Sequence, residues 1–434
     1  MDMAPIKRNY NSLDELYIAR CIELARFGYA TVSPNPMVGC VILDKAGVVV
    51  GEGYHQKAGS GHAEVIALNH AGEKARGGTL YVNLEPCNHQ GRTGPCTQPI
   101  IDAGIARVVC GTLDTNPQVA GAGRDALQNA RISVRYGFLE EACKTLNRVF
   151  FHYIQAKEPY VSIKLAMTLD GKIASRHGHS KWITNETARQ SVHYLRHAHD
   201  AILTTAETVM ADDPALSVRN IPIVQKQPIK IILDRSLKLD IQHYKVFQNQ
   251  PIDNQAFNHQ EPGARQAGNP SVHNQEKPPE MADDFDIFDE DADQMPAINT
   301  GQAADHSNVW IVTSTAQESS KRFAQLRELG FSLIAINETY QGLHLPEVMT
   351  ALGERGITSI LVEAGGQLVY SLMQAKCVNH YYLYYAPKLL QDTMAKPGFG
   401  QGFSLDFPDS PQLSVIETTQ LDTDVLIEAV PLKQ

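Results

Sequence analysis

His62-Ala63-Glu64, followed by Pro86-Cys87 and then Cys96, supplies one imidazole, one carboxylate and two thiols in order along one segment. These are the parts of a hydrolytic zinc site. Three protein ligands leave the fourth tetrahedral position of Zn²⁺ to water, whose pKa the metal lowers to about 7. His62, Cys87 and Cys96 are the candidate ligands. Glu64, two residues after the histidine at the start of an expected helix, is the candidate proton carrier and should not ligate. A closed structural hook with His89 as fourth ligand, or two merely buried thiols, would use the same cysteines but give Glu64 no task. A second constellation, Val362-Glu363-Ala364-Gly365-Gly366-Gln367, sets a strand end, two glycines and a helix start in series, where backbone N–H groups can meet a pyrophosphate. No G-x-G-x-x-G follows the first strand of this half, so an ordinary Rossmann domain is not indicated.

The elements that must position these groups can be read from periodicity. Ser12-Leu13-Asp14-Glu15 has the form of a capping box and predicts a helix to about Phe27, with Leu16, Ala19, Ile22 and Leu24 facing inward. Strands are expected at Val38 to Leu43, Thr79 to Leu84 and Arg107 to Gly111, with helices at Ala63 to Asn69 and Gln98 to Ala103. This alternation implies a three-layer α/β arrangement. After an expected hinge at Lys157-Glu158-Pro159 come strands at Tyr160 to Ala166, Ala201 to Thr204, Ile229 to Leu233, Trp310 to Thr313, Leu333 to Ile336 and Ile360 to Val362, with a helix at Thr184 to Ala198. The expected domains are 1–150 and 157–434, the second interrupted by a low-complexity acidic insertion at 248–307.

With 434 residues the chain exceeds what one core usually organises, and 43% hydrophobic with 20% charged residues is globular composition. The net charge of −10 has one address. Asp240 to Asp305 carries thirteen Asp and Glu against three Lys and Arg, the whole excess. That stretch is crowded with Gln, Asn, Pro and Asp and reads as a largely disordered loop, with Phe285, Ile287 and Phe288 as the anchors of an alternative partner-binding motif. The remainder is near neutral and shows no basic face for nucleic acid. Met1 to Ser12 lacks a signal pattern, and no run of about 18 apolar residues suggests a membrane span. Seven scattered cysteines argue against a disulfide framework and for a reducing cytoplasm.

The H-x-E…P-C order is that of nucleobase deaminases. The chain departs from the compact C-x-x-C form, because Asn88 to Pro95 separate Cys87 from Cys96. That loop, together with Ser33-Pro34-Asn35-Pro36-Met37-Val38-Gly39, resembles the deaminase domain of the bifunctional riboflavin-biosynthesis deaminase-reductases. The resemblance implies a cytidine-deaminase-like three-layer fold in which Asn35 hydrogen-bonds the pyrimidine ring, His62, Cys87 and Cys96 hold zinc, and Glu64 carries the proton. His55 and His70 are expected to be polar surface or capping residues, with contact to substrate near the glycine-rich Gly51 to Gly61 segment as the alternative for His55, and Arg92 and Asn116 are candidate contacts to a phosphate or sugar.

Lys164-Leu165-Ala166-Met167-Thr168-Leu169-Asp170-Gly171-Lys172, Ser180-Lys181-Trp182-Ile183-Thr184, Met210-Ala211-Asp212-Asp213-Pro214-Ala215-Leu216 and Ala386-Pro387-Lys388 resemble the reductase half of the same family. The implied fold is dihydrofolate-reductase-like and the implied cofactor NADPH. By the resemblance Ala166, Trp182, Thr208, Asp212, Gly365 and Gly366 touch the cofactor, while Ser180, Arg196, Leu216, Arg219 and Glu363 touch substrate. Lys164 with Glu363 would act on the sugar oxygen. The implied reactions are hydrolytic deamination of 2,5-diamino-6-ribosylamino-4(3H)-pyrimidinone 5′-phosphate and then reduction of its ribosyl group to ribityl, in a homo-oligomer. Two other readings use the same residues: a nucleic-acid deaminase with a binding module, and a zinc deaminase whose second half is a non-catalytic scaffold.

Overall fold

The computed structural model describes residues 10–88, 94–114, 121–248, 306–400 and 410–432. Helix α1 (Leu13–Ala25) opens as expected, with Ser12 Oγ accepting from Glu15 N, while Glu15 Oε2 accepts from Asn11 N at 2.7 Å. Its buried face differs from the expected one. Ile18, Ala19, Cys21, Ile22, Leu24 and Ala25 point inward, whereas Leu16 is 41% exposed.

The first sheet contains β1 (Gly39–Leu43), β2 (Val49–Tyr54), β3 (Thr79–Leu84), β4 (Arg107–Thr112) and β5 (Ser133–Tyr136) in the order β2-β1-β3-β4-β5. Between them run α2 (Ala63–Ala71), α3 (Thr97–Asp102), α4 (Ala122–Asn129), α5 (Glu140–Leu146) and α6 (Arg148–Ala156). One face packs Ala63, Ala67, Ile100 and Leu127 of α2, α3 and α4; the other packs α1 with Cys143 of α5. The result is the three-layer arrangement. The missed strand β2 has a physical reason: α2 lies so close that a Cβ at Gly51 would collide with the Ala67 carbonyl, and one at Gly53 would meet Ala63 O at 2.6 Å. The glycines that make room for the helix hide the alternation of the strand.

The second sheet is built from β6 (Tyr160–Thr168), β8 (Ala201–Thr205), β9 (Ile229–Leu233), β10 (Val309–Ser314), β11 (Ser332–Ile336), β14 (Ser359–Val362), β15 (His380–Ala386), β17 (Leu413–Leu421) and β18 (Asp424–Pro431). Small ribbons join β7 (Lys172–Ala174) to β16 (Lys396–Pro397), and β12 (Glu338–Thr339) to β13 (Gly342–Leu343). The order β11-β10-β9-β8-β14-β6-β15-β18-β17 is parallel from β11 to β15 and antiparallel at β18 and β17. Helices α7 (Glu186–Ala198), α8 (Ala206–Asp212) and α9 (Lys321–Glu328) cover one face, and α10 (Leu345–Glu354) and α11 (Gly366–Gln374) the other. Two covered faces account for the continuous apolar runs of the central strands.

Most of the expected insertion, 249–305, and with it the Phe285, Ile287 and Phe288 motif, lies outside the described residues. Its two stems are described. After β9 the chain doubles back through buried Leu237, Leu239, Val246 and Phe247 to Gln248, and Lys230 near the start of β9 donates from Nζ to Val246 O at 2.8 Å. The chain returns at His306, whose ring stacks 4.2 Å from Phe331 just before β10 begins, and Phe247 packs edge-on against the same Phe331. Both stems therefore open at the N-terminal ends of the parallel strands. Glu363 and Gly365 follow the opposite, C-terminal end of β14.

Candidate active sites

His62 stands at the N-cap of α2, so Glu64 falls in its first turn and turns inward, 3% exposed. Cys96 sits at the start of α3 and Cys87 on the segment leaving β3. These elements bring His62 Nδ1 to 3.0 Å from Cys96 Sγ and 3.5 Å from Cys87 Sγ, and all three donor atoms lie within 4.8 Å of one another. Among the described residues this is the one cluster of metal-ligand type. His89 and Arg92 lie outside the described residues.

The electrostatics suit a cation. The Cys96 thiol and the His62 ring pull the Cys87 thiol down to about 4, while the Cys87 sulfur, burial and the nearby Glu64 push Cys96 up. A divalent cation at the centre removes that conflict and lets both sulfurs ionise. One nitrogen and two sulfurs converging on one point are a donor set that fits zinc. Burial and the neighbouring Cys87 push the Glu64 carboxyl up to about 7, into the range useful for proton transfer.

Asn35 lies on the loop that enters β1. Its Nδ2 is 3.1 Å from His55 Nε2, and His55 Nδ1 is 3.2 Å from Gly61 O. With Nδ1–H donating to the carbonyl, Nε2 accepts from the Asn35 amide, and the Asn35 oxygen is left for a ligand. Burial lowers the His55 pKa, which keeps the ring neutral in this role. His55 is 3% exposed, so the expected surface role is corrected. Its neighbours in sequence are glycine-rich and carry no periodic signal for burial.

Two further residues escaped the sequence reading. Asn147 is 2% exposed; its Oδ1 accepts from Met37 N at 2.8 Å and its Nδ2 donates to Met37 O at 3.0 Å. Glu85, also buried, accepts backbone N–H groups from Asp114, Gly121 and Arg124, tying both ends of the segment that carries Asn116 next to Cys87. Asn116 itself lies outside the described residues.

In the second half, Arg196 on α7 grips Glu363 after β14, Nε to Oε1 at 2.6 Å and Nη2 to Oε2 at 2.9 Å, and donates from Nη1 to Ser217 O at 3.0 Å. Burial would raise the Glu363 carboxyl, but Arg196 and then Lys164 hold it down to about 2. Burial lowers the Lys164 ammonium, with Arg196 adding to the effect and Glu363 opposing it. Lys164, Arg196 and Glu363 thus form one charged group beneath α7. Arg219 is near enough to feel Arg196 and Glu363, and its Nη1 donates to Ser217 Oγ at 3.3 Å. The Leu216 side chain is spent in the core, at φ +48°, leaving its backbone for a ligand.

Gly365 caps α11, and its N–H donates to Thr208 Oγ1 on α8 at 3.3 Å, so these two expected cofactor contacts meet. Ser180 Oγ lies 3.4 Å from Asp212 Oδ1, bringing a third and a fourth expected residue together. Ala166 lies on β6, one strand from Glu363, on the α7 face. Trp182 is 65% exposed, with the Arg189 guanidinium 4.4 Å over its ring, on a cavity of about 430 Å³ that Asn185, Lys388 and Asp424 also line. A core role for Trp182 is excluded by that exposure.

Residues 11–112 match the cytidine and deoxycytidylate deaminase zinc-binding region, and residues 159–266 and 273–427 match the RibD C-terminal domain. The riboflavin biosynthesis protein RibD of Escherichia coli K12 is 36% identical over 432 residues, covering 96% of this chain and 99% of its own. That of Bacillus amyloliquefaciens is 36% identical over 420 residues, 96% of each chain. Among solved structures, Acinetobacter baumannii RibD superposes with TM-score 0.76 at 31% identity over 97% of this chain and 99% of its own. The diaminohydroxyphosphoribosylaminopyrimidine deaminase/5-amino-6-(5-phosphoribosylamino)uracil reductase of Thermotoga maritima superposes with TM-score 0.72 at 30% identity, over 96% and 99%.

Proposed function

The chain belongs to the RibD family of riboflavin-biosynthesis proteins, a bifunctional zinc deaminase and NADPH-dependent reductase, and on that premise we propose which of its side chains perform the two reactions. The substrate is a phosphorylated pyrimidine: 2,5-diamino-6-ribosylamino-4(3H)-pyrimidinone 5′-phosphate loses its 2-amino group to water, and the ribosyl group of the product is reduced to ribityl. The alternatives of a nucleic-acid deaminase and of a non-catalytic second half are not favoured.

In the first reaction His62, Cys87 and Cys96 hold zinc, which supplies the Lewis acidity that makes water a nucleophile near neutral pH. Glu64 would carry one proton of the water to the ring nitrogen and then the second, from the added hydroxyl, to the departing amine, so that ammonia leaves and a carbonyl remains. Asn35 offers its carbonyl oxygen to the pyrimidine, held in that orientation by His55. The observation that carries this assignment is the meeting of three donor atoms within 4.8 Å beside a buried Glu64.

In the second reaction NADPH supplies the hydride to C1 of the ribosyl group, and the protein must hold the sugar and deliver a proton to its ring oxygen. Arg196 cannot release a proton, and Glu363, held down to about 2, has none to give at neutral pH. Lys164, destabilised as a cation by burial, is the member of the group suited to donate. Arg219 with Ser180 and the Leu216 backbone bind the substrate. Ala166, Trp182, Thr208, Asp212, Gly365 and Gly366 bind the cofactor. The working division of the chain is 1–150 for deamination and 157–434 for reduction, the second interrupted by the acidic insertion at 248–307. Assembly as a homo-oligomer and cytoplasmic residence belong to the same reading; no helix among the described residues is long and apolar enough to cross a membrane.

The test is mass spectrometry of products from the zinc-loaded protein and the diaminopyrimidinone ribotide, with and without NADPH. Deaminated product without NADPH and deaminated, ribityl product with it support the reading. Unchanged substrate from metal-replete protein overturns it.

A further inference from the structure

The loop that carries Asn35 is held at its two ends by different halves of the molecule. At Met37 the grip comes from Asn147 and from Asn83, whose Nδ2 donates to Met37 O at 3.0 Å. At Ser33, two residues before Asn35, the grip comes from the reductase half. Ser33 Oγ donates to Asp200 Oδ2 at 2.8 Å and lies 3.1 Å from Thr358 Oγ1. Nearby, Tyr29 OH donates to Tyr194 O on α7 at 2.9 Å.

Asp200 is built as an anchor. Lys226 Nζ donates to Oδ1 at 3.0 Å, Thr358 donates to Oδ2 from N at 3.0 Å and from Oγ1 at 2.6 Å, and Asp200 N donates to Ser359 Oγ at 3.0 Å. A carboxylate with this many donors is fixed in place, and a hydrogen bond to it is stronger than one between neutral groups. Asp200 and Thr358 immediately precede β8 and β14, so the anchor is part of the sheet itself and transmits little slack.

We propose that Asp200, through Ser33, is a positioning residue for deamination: the reductase half fixes the loop that aims Asn35 at the pyrimidine. The inference rests on Asn35 contacting the ring. Because that contact is made in ground state and transition state alike, loss of the anchor weakens substrate binding and spares the chemical step.

The experiment is steady-state deamination by the full-length, zinc-loaded protein carrying Ser33→Ala, which removes the cross-boundary bond and leaves Asp200 its other donors. KM is expected to rise about tenfold with kcat within about twofold. Zinc content and reduction of the already deaminated substrate stay at wild-type levels, and Ser33→Thr, which keeps the hydroxyl, brings KM back. Asp200→Asn raises KM in the same direction, and adding Ser33→Ala to it raises KM by less than it does alone. Asn35→Ala separates the two readings. If it raises KM while Ser33→Ala leaves KM unchanged, the anchor has no such role; if it leaves KM unchanged, the ring contact and the inference both fall. Loss of zinc or of kcat in Ser33→Ala also overturns the inference, because it marks a general structural defect.

Discussion

Arg196 and Glu363 face each other as two parallel forks, 2.6 and 2.9 Å apart at the prongs, with side chains only 13% and 12% exposed. A buried pair of this kind is replaced at little cost as a whole but is expensive to break, because either partner alone is an uncompensated buried charge. Lys164 and Arg219 lie within its electrostatic reach.

Glu363→Gln should therefore destabilise the protein by about 3 to 5 kcal/mol at neutral pH and lower reductase kcat/KM by about a hundredfold, with deamination retained. The stability difference has a pH signature. The folded carboxyl is held at about 2 against an ordinary 4.5, so the unfolded chain binds the proton first on acidification. The pair's contribution is full above about 4.5 and is lost as the pH falls toward about 2. Melting temperatures of wild type and Glu363→Gln, measured from pH 6 downward, should converge in that window; a gap that stays constant would show that the pair does not stabilise the fold.

Glu64→Gln keeps the side chain's size but cannot carry a proton. Deamination kcat should fall by about 10² to 10⁴ while zinc content stays at one per chain and NADPH oxidation with deaminated substrate is untouched. Zinc loss in this variant would instead make Glu64 a ligand.

Dialysis against a chelator should abolish deamination and leave reduction of the deaminated substrate in place, with zinc restoring the first activity. Cys96→Ser should weaken metal retention severely, read by elemental analysis after gel filtration. Deamination that survives complete zinc removal would sink the assignment of all three ligands.

Gly365 and Gly366 are neighbours with opposite environments. A Cβ at Gly365 meets nothing within 4 Å, whereas one at Gly366 would collide with the Pro397 carbonyl and meet Gly400 N at 2.6 Å and Gly398 O at 2.9 Å. Gly365→Ala should fold with an unchanged melting temperature, because no described residue opposes its Cβ, and on the proposed cofactor site it should show a raised KM for NADPH. Gly366→Ala should lower the melting temperature itself. Unaltered NADPH kinetics in Gly365→Ala would move the pyrophosphate away from this turn.

The parts of the sites legible in the sequence were those written in one short string. His62 and Glu64 belong to one helix start, and Cys87 and Cys96 to the ends of one loop, so local order already implied proximity. Lys164, Arg196 and Glu363 come from β6, α7 and the end of β14, and only the sheet order brings them together; their roles came from resemblance and not from spacing. His55, Glu85 and Asn147 act by bonding backbone or amide groups far along the chain, and no local pattern encodes such bonds. The same limit explains the helix face. Leu16 satisfies the period of α1 but falls on its exposed side, because Ile18 and Cys21 define the direction of the sheet.

The meeting of Phe247 and His306 on the single ring of Phe331 makes the two stems of 248–307 a closed junction at the end of the sheet away from Gly365. The entropy of closing a loop grows only with the logarithm of its length, about 0.6 kcal/mol per doubling. The closure cost at the junction therefore depends little on the length of chain between the stems. Its two ends are set by these contacts whatever chain lies between them, which in the language of protein engineering makes the junction a port for exchanging 249–305 with an epitope, a fluorescent protein or a short turn.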